Sequence, residues 1–224
     1  RVYTFRVDGT VTYQSFTFRN TQIEQISNIS WTGTGSQLFM DCQKLTSISG
    51  TLTITLSADY LFYRCYLLST LPSISNISIN SNVTSAAYIF AGANSISYSD
   101  AEAIIRKCTN VTNFYAAFRM KQFTSNQTVR ISYMLENNSV VTSLSSFLSQ
   151  YNGGNEFASV TNDITIDGKI PSSVTDTTYM CYGFHSISVP YDLLSSATNL
   201  TTAPVMFAYS SVTFTGNGRP IQKI

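Results

Sequence analysis

Residues 81–90 read SNVTSAAYIF, and versions of this stretch recur along the chain. Each version keeps an aliphatic residue near its third position and an apolar residue at its tenth. The other copies are TNVTNFYAAF at 109–118, NSVVTSLSSF at 138–147, SSVTDTTYMC at 172–181 and TNLTTAPVMF at 198–207. Recurrence on this scale predicts a repeat protein, in which a unit buries its apolar face only against its neighbours.

The tenth position of the repeat, held by Phe90, defines an anchor slot. Successive anchors lie 23 to 34 residues apart, which is the size of one supersecondary unit in a solenoid. The anchors are Phe39, Phe62, Phe90, Phe118, Phe147, Cys181 and Phe207. Seven residues earlier stand Val83, Val111, Val140, Val174 and Leu200. We predict that both sets form one continuous core along the stack.

The residues between anchors predict the elements of each unit. Leu68 and Leu71 follow Phe62 at a spacing that suits a short strand, flanked by Ser and Thr. The compact segment 86–93 favours one or two helical turns, and SDAEA at 99–103 is typical of a helix N-terminus. Each unit is therefore predicted to contain a short helix, a bend, a strand and a brief extended stretch at Asn-Val-Thr.

The repeat resembles a known family. Asn-Val-Thr with a Phe six residues after the Thr, together with the Phe-Tyr-Arg-Cys run that begins at Phe62, is similar to the BspA-like bacterial surface leucine-rich repeats. The resemblance covers roughly residues 30–224, with a unit of about 26 residues. It implies a right-handed α/β stack of short strands and short helices on a secreted or surface-exposed protein that serves adhesion. It implies no catalytic residue.

The ends of the chain depart from the repeat. Apolar and polar residues alternate in 2–7 and 11–18 around Asp8-Gly9, which predicts a β-hairpin. An open solenoid end would expose the core, so a terminal cap is expected. The predicted organisation is a β cap over 1–30, a leucine-rich-repeat-like solenoid of about seven units over 31–215, and a C-terminal cap or linker start over 216–224.

Composition limits the partners. Charged residues make up 11% of the chain, against roughly 25% in typical soluble domains, and the net charge is +1. No electrostatic attraction to nucleic acid is therefore expected. The longest apolar run is about eight residues, whereas a membrane-spanning helix needs about 20, so no membrane insertion is expected.

Cysteine, histidine and carboxylate side chains give no cofactor, metal or catalytic prediction. Cys42 and Cys65 share a slot three residues after their anchors, which leaves two alternatives: a disulfide between neighbouring turns, or two buried thiols. Cys181 fills a core slot, which argues against a nucleophile paired with His185. Asp163 and Asp167 lack the spacing of a calcium loop.

Tyrosine gives the candidate binding residues. Tyr60, Tyr88 and Tyr179 each lie two residues before an anchor, so they are predicted to line one face of the solenoid, unless they only cover the edge of the core. The longest gap between anchors predicts a loop on the binding face or a neutral surface loop. Its candidate residues are Tyr151, Asn152, Asn155 and Phe157.

Two functions fit these patterns. The first is a non-catalytic adhesion module at a cell surface or outside the cell, recognising a protein or a glycan. The alternative is a structural virion component, such as a phage capsid or tail decoration or fibre protein, assembling with itself or with neighbouring proteins.

Overall fold

The computed structural model describes residues 18–124, 126–150 and 163–216, together with the backbone of two short strands at 4–6 and 11–12. Over these residues the chain coils into a parallel β-solenoid of about seven turns. The predicted repeat solenoid is confirmed, while several of its predicted details are not.

Parallel strands form two sheets on the solenoid. The first has the order β1-β3-β4-β5, with β2 also paired to β3, and the second has the order β6-β7-β8-β9. The strands are β1 (Thr4–Arg6), β2 (Val11–Thr12), β3 (Gln25–Gly33), β4 (Ser47–Ile54), β5 (Ile77–Ile79), β6 (Gln127–Arg130), β7 (Asp163–Asp167), β8 (Ser186–Pro190) and β9 (Ser211–Thr215). From β4 onward each strand lies between two successive anchors or after the last one.

Helices are few in the described part of the chain. They are α1 (Tyr98–Ile105), α2 (Ile131–Met134) and one 3₁₀ turn (Ile74–Asn76). The predicted helix start at 99–103 is correct to within a residue, because the Ser97 hydroxyl caps α1 by accepting a bond of 3.0 Å from the amide of Asp100. Helix α1 takes the place of a strand in the central turn and so separates the two sheets.

The anchor corners contain tight turns where the sequence predicted short helices. In the corner at 86–93, alternate N–H groups donate to the carbonyl three residues back. The N–H groups of Ala86, Tyr88, Phe90 and Gly92 donate to the next turn of the solenoid, and that of Phe90 reaches the carbonyl of Ala117 at 2.8 Å. An α-helix would use nearly all of these donors internally and leave none to join the turns.

The corners also explain why a helix cannot form there. The residues two positions before and two positions after most anchors have a positive φ, which is the left-handed backbone conformation. An α-helix excludes this conformation, whereas a type II turn requires it at its third residue. These residues are Gln37, Asp41, Tyr60, Arg64, Tyr88, Gly92, Ala116, Met120, Ser146, Tyr179, Gly183, Val205 and Tyr209. Most of them are not glycine, so the sequence carried no sign of this backbone.

Phenylalanine rings stack along the solenoid axis, as the anchor slot predicted. The ring centroids of Phe39 and Phe62 are 5.8 Å apart, those of Phe62 and Phe90 5.7 Å, and those of Phe90 and Phe118 5.5 Å. Phe18 extends the stack by one ring, 5.5 Å from Phe39, inside the segment predicted as the cap. The rings of Phe39, Phe62, Phe90 and Phe118 are all fully buried.

The predicted register of the fifth copy is wrong by one residue. Val140 is 39% exposed, and the next residue, Val141, fills the buried slot. The amide of each anchor donates to the carbonyl of the residue just before the next anchor. The amide of Phe118 donates to the carbonyl of Phe147, so the anchor of the fifth copy is the following residue, Leu148. Phe147 is buried from the neighbouring slot, edge-on to Phe118 at 5.1 Å.

The other predicted core positions differ in burial. Val83, Val111, Val174 and Cys181 are fully buried. Leu200 and Phe207 are partly buried and pack against the same core from the last turn. The core therefore thins toward the C-terminal end of the described chain.

The predicted N-terminal hairpin is not present. Strands β1 and β2 each pair in parallel with β3, Thr4 opposite Gln25 and Val11 opposite Trp31, whereas hairpin strands would pair with one another and antiparallel. Alternating sequence predicts a strand but not its partner. Here the long β3 offers a partner edge that continues the parallel stack.

Cys42 and Cys65 are free thiols, so the disulfide alternative is wrong. Both are fully buried, and each thiol donates to the carbonyl of the anchor one turn earlier, Phe18 at 2.7 Å and Phe39 at 2.9 Å. Burial raises the pKa of both thiols. Each cysteine therefore holds two turns together as a neutral hydrogen-bond donor.

Lys121 occupies the slot that cysteine fills in two earlier turns. Its side chain is 1% exposed, and Nζ donates to the carbonyls of Ala93 at 2.9 Å and Ile96 at 2.5 Å. Burial lowers the pKa of Lys121 to about 8. The ammonium thus joins neighbouring turns at an electrostatic cost that deprotonation relieves.

This cost predicts an unusual pH dependence of stability. Between pH 8 and 10.5 the folded chain releases the Lys121 proton while the unfolded chain keeps it, so the stability of the fold rises with pH. The free energy of unfolding of the native chain, minus that of Lys121→Met, should rise by about 3 kcal/mol from pH 7 to 10.5. Urea unfolding at several pH values measures this difference.

The comparison with Lys121→Met removes the contribution of the thiols and phenols that titrate in the same range. Lys44→Met is the matched control, because Lys44 is exposed and its removal should leave the pH profile unchanged. A native-minus-Lys121→Met difference that stays flat with pH would contradict the prediction.

Candidate binding surface of stacked tyrosines

Four tyrosines gather on the outside of the anchor corners in successive turns. Tyr60 and Tyr88 stack with their ring centroids 4.7 Å apart and their planes at 11°. Tyr63 and Tyr115 meet the ring of Tyr88 edge-on, at 5.9 Å and 5.2 Å. We name these four residues the first tyrosine cluster. Tyr60 and Tyr88 meet because equivalent slots of neighbouring turns lie one above the other.

A second cluster lies three turns further along. Tyr182 contacts Tyr179 at 5.3 Å and Tyr209 at 5.2 Å, measured between ring centroids. Tyr179 is 44% exposed and Tyr209 is 69% exposed. These three residues form the second tyrosine cluster. In the two turns between Tyr88 and Tyr179 the slot two residues before the anchor holds Ala116 and Ser146, so Tyr179 does not join Tyr60 and Tyr88 in one row.

The phenols of Tyr60 and Tyr88 keep their protons at neutral pH. Burial, followed by a hydrogen bond with Tyr115, raises the pKa of Tyr88 to about 12, and burial raises the pKa of Tyr60. The guanidinium of Arg64 lies over the ring of Tyr63, 5.0 Å from its centroid. The surface thus combines aromatic faces, hydroxyl groups and the guanidinium of Arg64.

Such a surface is suited to binding. Tyrosine provides large, stiff contact area together with a hydroxyl that can donate and accept hydrogen bonds. Its rings can lie against apolar side chains or the C–H face of a sugar. The left-handed backbone on which Tyr60, Tyr88 and Tyr179 sit recurs at a fixed slot, so the ring positions are set by the solenoid and not by a loop.

The remaining predicted site residues give no second site of this kind. Tyr151, Asn152, Asn155 and Phe157 lie outside the described residues. The Nδ1 atom of His185 lies 3.0 Å from Oδ1 of Asp163, on the surface. Cys181 is fully buried, and burial raises its thiol pKa. The described ranges contain no group of three His, Cys, Asp or Glu residues placed to hold a metal ion.

Sequence reasoning found half of the first cluster. Tyr60 and Tyr88 were predicted from their shared slot, whereas Tyr63 and Tyr115 lie one residue after and three residues before their own anchors. Only the folded corner brings these different slots together. An enrichment of tyrosine within three residues of the anchors was the available signal.

Comparison with family models, with curated proteins and with solved structures finds no match to this chain. Within 18–124, 126–150 and 163–216, no helix combines the length and the apolar character that crossing a bilayer requires. The function is therefore argued from the surface itself.

Proposed function

We propose that the chain is a non-catalytic binding module, exposed at a cell surface, that recognises a protein or a glycan through its tyrosine clusters. The observation that carries the proposal is the first tyrosine cluster, whose rings come from three successive turns and present ring faces together with hydroxyl groups. The extracellular, adhesive role rests on the resemblance of the repeat to BspA-like surface proteins, and that relationship is part of the proposal.

The test removes the rings of one cluster at a time. The double variant Tyr60→Ala/Tyr88→Ala is expected to weaken binding to a glycan array, to matrix proteins or to cells by at least about tenfold, because hot-spot aromatics contribute about 2 kcal/mol or more each. The matched variant Tyr60→Phe/Tyr88→Phe keeps both ring faces and should retain most of the affinity. Circular dichroism establishes that both variants are folded.

The second cluster supplies an internal comparison. Tyr179→Ala/Tyr209→Ala tests whether the two clusters contact the same ligand, in which case both alanine pairs weaken binding. If neither alanine pair changes binding to any ligand that the native chain captures, the tyrosine surface is not the binding surface and the proposal fails.

Exposed aliphatic side chains favour a second candidate function. Leu56 is 66% exposed, Leu67 49% and Val205 46%, and these are the most exposed aliphatic side chains among the described residues. A structural virion component would bury them against copies of itself or against neighbouring proteins. Light scattering separates the candidates: defined oligomers that dissociate in Leu56→Ser or Leu67→Ser favour assembly, and a monomer at high concentration favours the binding module.

A further inference from the structure

A cleft opens where helix α1 interrupts the stack of strands. Its volume is about 460 Å³, within the roughly 300–1,000 Å³ of small-molecule sites. Three successive turns line it: Ile74 comes from the turn before α1, Ala103 and Arg106 from α1 itself, and Arg130 and Tyr133 from the turn after it. The cleft shares no residue with either tyrosine cluster.

Two guanidinium groups line the cleft and are held against one ring. The Cζ atoms of Arg106 and Arg130 lie 3.6 Å and 4.3 Å from the ring centroid of Tyr133. Lys107 adds a third cation to the lining. Cation–π contact fixes the planes of the two guanidinium groups and so prepares them for a planar anion.

A buried carboxylate positions Arg130. Glu102 is 3% exposed, and its two oxygens accept from Nε and Nη2 of Arg130. The Tyr98 hydroxyl donates to Glu102 at 2.9 Å and accepts from the Arg130 amide at 3.1 Å. This network uses one edge of the Arg130 guanidinium, and among the described residues Nη1 has no hydrogen-bond partner.

Arg106 is also anchored on one side. Its Nη1 donates to the carbonyl of Tyr133 at 2.5 Å, and its Nη2 pairs with Glu136, which lies at the surface. Arg106 lowers the pKa of that carboxyl. Within the described chain, Nε of Arg106 makes no further bond. Both arginines thus have one paired side and one donor to offer.

The charges favour a ligand with one negative charge. The cleft is lined by the cations Arg106, Lys107 and Arg130, and the two arginines pair with Glu136 and Glu102, so three positive charges minus two negative ones leave a net +1. A nucleotide or another polyanion would need more compensation than this, and an amino acid would bring an ammonium into a positive site.

The rest of the lining favours a polyhydroxylated ring. Ile74 and Ala103 provide an apolar wall, while Ser99 and Asn137 provide a hydroxyl and an amide at the rim. A sugar has the matching halves, because its C–H face is apolar and its hydroxyl groups donate and accept hydrogen bonds. A carboxylate on that sugar would complete the match to the arginines.

We propose that this cleft binds a sugar acid, with the sugar carboxylate held by Arg106 and Arg130 and the sugar ring against Ile74 and Ala103. The ligand is either a free sugar acid or a uronic acid residue within a glycan. Both share the same recognition chemistry, and the experiment has an arm for each.

The experiment titrates the full chain with glucuronate and, as the neutral counterpart, glucose, followed by NMR or calorimetry. Glucuronate is expected to bind at least about tenfold more tightly than glucose, the ratio expected when a charge-assisted pair contributes 1.4 kcal/mol or more. The second arm uses a uronic acid oligosaccharide and the same oligosaccharide with its carboxyl groups reduced. Tighter binding of the oligosaccharide than of glucuronate identifies a glycan as the source.

Variants tie the binding to the cleft. Arg130→Gln should weaken glucuronate binding at least about tenfold, the loss expected for one charge-assisted contact. Because Arg130→Gln leaves Glu102 buried and unpaired, Ala103→Leu provides a second route: it fills the cleft, keeps every charge, and should abolish binding. Lys44→Gln, outside the cleft, should bind as the native chain does.

Three results would overturn the proposal of a binding site for a sugar acid, and a fourth would overturn the sugar alone. One is the failure of both glucuronate and the acidic oligosaccharide to bind the folded native chain. Another is equal binding of glucose and glucuronate. The third is unchanged glucuronate binding in folded Ala103→Leu. Inorganic sulfate that binds as tightly as glucuronate would overturn the assignment of a sugar, since the ring would then contribute nothing.

Discussion

Gly50→Ala is expected to destabilise the solenoid by more than about 4 kcal/mol or to prevent folding, because it combines a backbone clash with strained dihedral angles. Gly50 has a φ of +112° and lies opposite Ile29, where the register between β3 and β4 shifts. A Cβ atom there would lie 2.1 Å from the carbonyl oxygen of Ile29 and 2.5 Å from its nitrogen. Both are main-chain atoms of β3 and cannot rotate away.

Gly216→Ala is the matched control for this prediction. Gly216 also has a positive φ, +96°, but among the described residues, its chain neighbours aside, no atom lies within 4 Å of the position its Cβ would take. Its substitution should therefore cost only the left-handed backbone term of about 1–2 kcal/mol. Urea unfolding of both variants measures the difference, and equal losses would show that close approach to β3 is not what requires glycine at position 50.

Phe62→Ala is expected to destabilise the fold by about 3–5 kcal/mol, the usual result of emptying a buried aromatic site. The ring is fully buried and stacks on Phe39 and on Phe90, at 5.8 Å and 5.7 Å. Its removal leaves a cavity and ends two ring contacts worth about 0.5–1.5 kcal/mol each. Chemical unfolding followed by circular dichroism gives the free energy.

Two variants bracket the Phe62 result. Phe207→Ala removes the same atoms from a partly buried anchor in the last turn, and it should cost less than half as much. Phe62→Leu keeps much of the apolar volume and should fall between the native chain and Phe62→Ala. If Phe207→Ala destabilises the chain as strongly as Phe62→Ala, the ring stack does not contribute as described.

The stacking of turns was predictable because it depends on side chains that repeat. Phe62, Phe90 and Phe118 occupy one slot, and burial of apolar area dictates that equal slots superpose. The register of the fifth copy was also readable: Val141 is followed by threonine, as in the other four copies, whereas Val140 is not.

The corner backbone was not predictable by the same means. Positive φ is usually signalled by glycine, but Tyr88 and Ala116 adopt it because the neighbouring turns take up their N–H groups in a fixed alternation. The positive φ is required by hydrogen bonds between turns, so it leaves no pattern in the sequence around each residue. For the same reason the sequence predicted helices in these corners.

The two candidate sites also differ in whether the sequence could predict them. The contact of Tyr60 with Tyr88 follows from the repeat, since both hold one slot in adjacent turns. The cleft does not, because Ile74, Arg106 and Arg130 stand at unrelated positions of three units and meet only where α1 replaces a strand. Because the cleft forms where the repeat is interrupted, the repeat pattern could not predict it.

Helix α1 also changes what holds neighbouring turns together. Elsewhere on the sheets a ladder of main-chain bonds joins the turns. On the face that α1 occupies, side chains make the connection: the Tyr98 hydroxyl accepts from the amide of Arg130, and the Asn138 amide donates to the carbonyls of Cys108 and Val111 at 2.7 Å. The corners of these turns keep main-chain bonds such as that from Phe90 to Ala117, so loss of the Tyr98 hydroxyl or the Asn138 amide would loosen this one face and leave the corners joined.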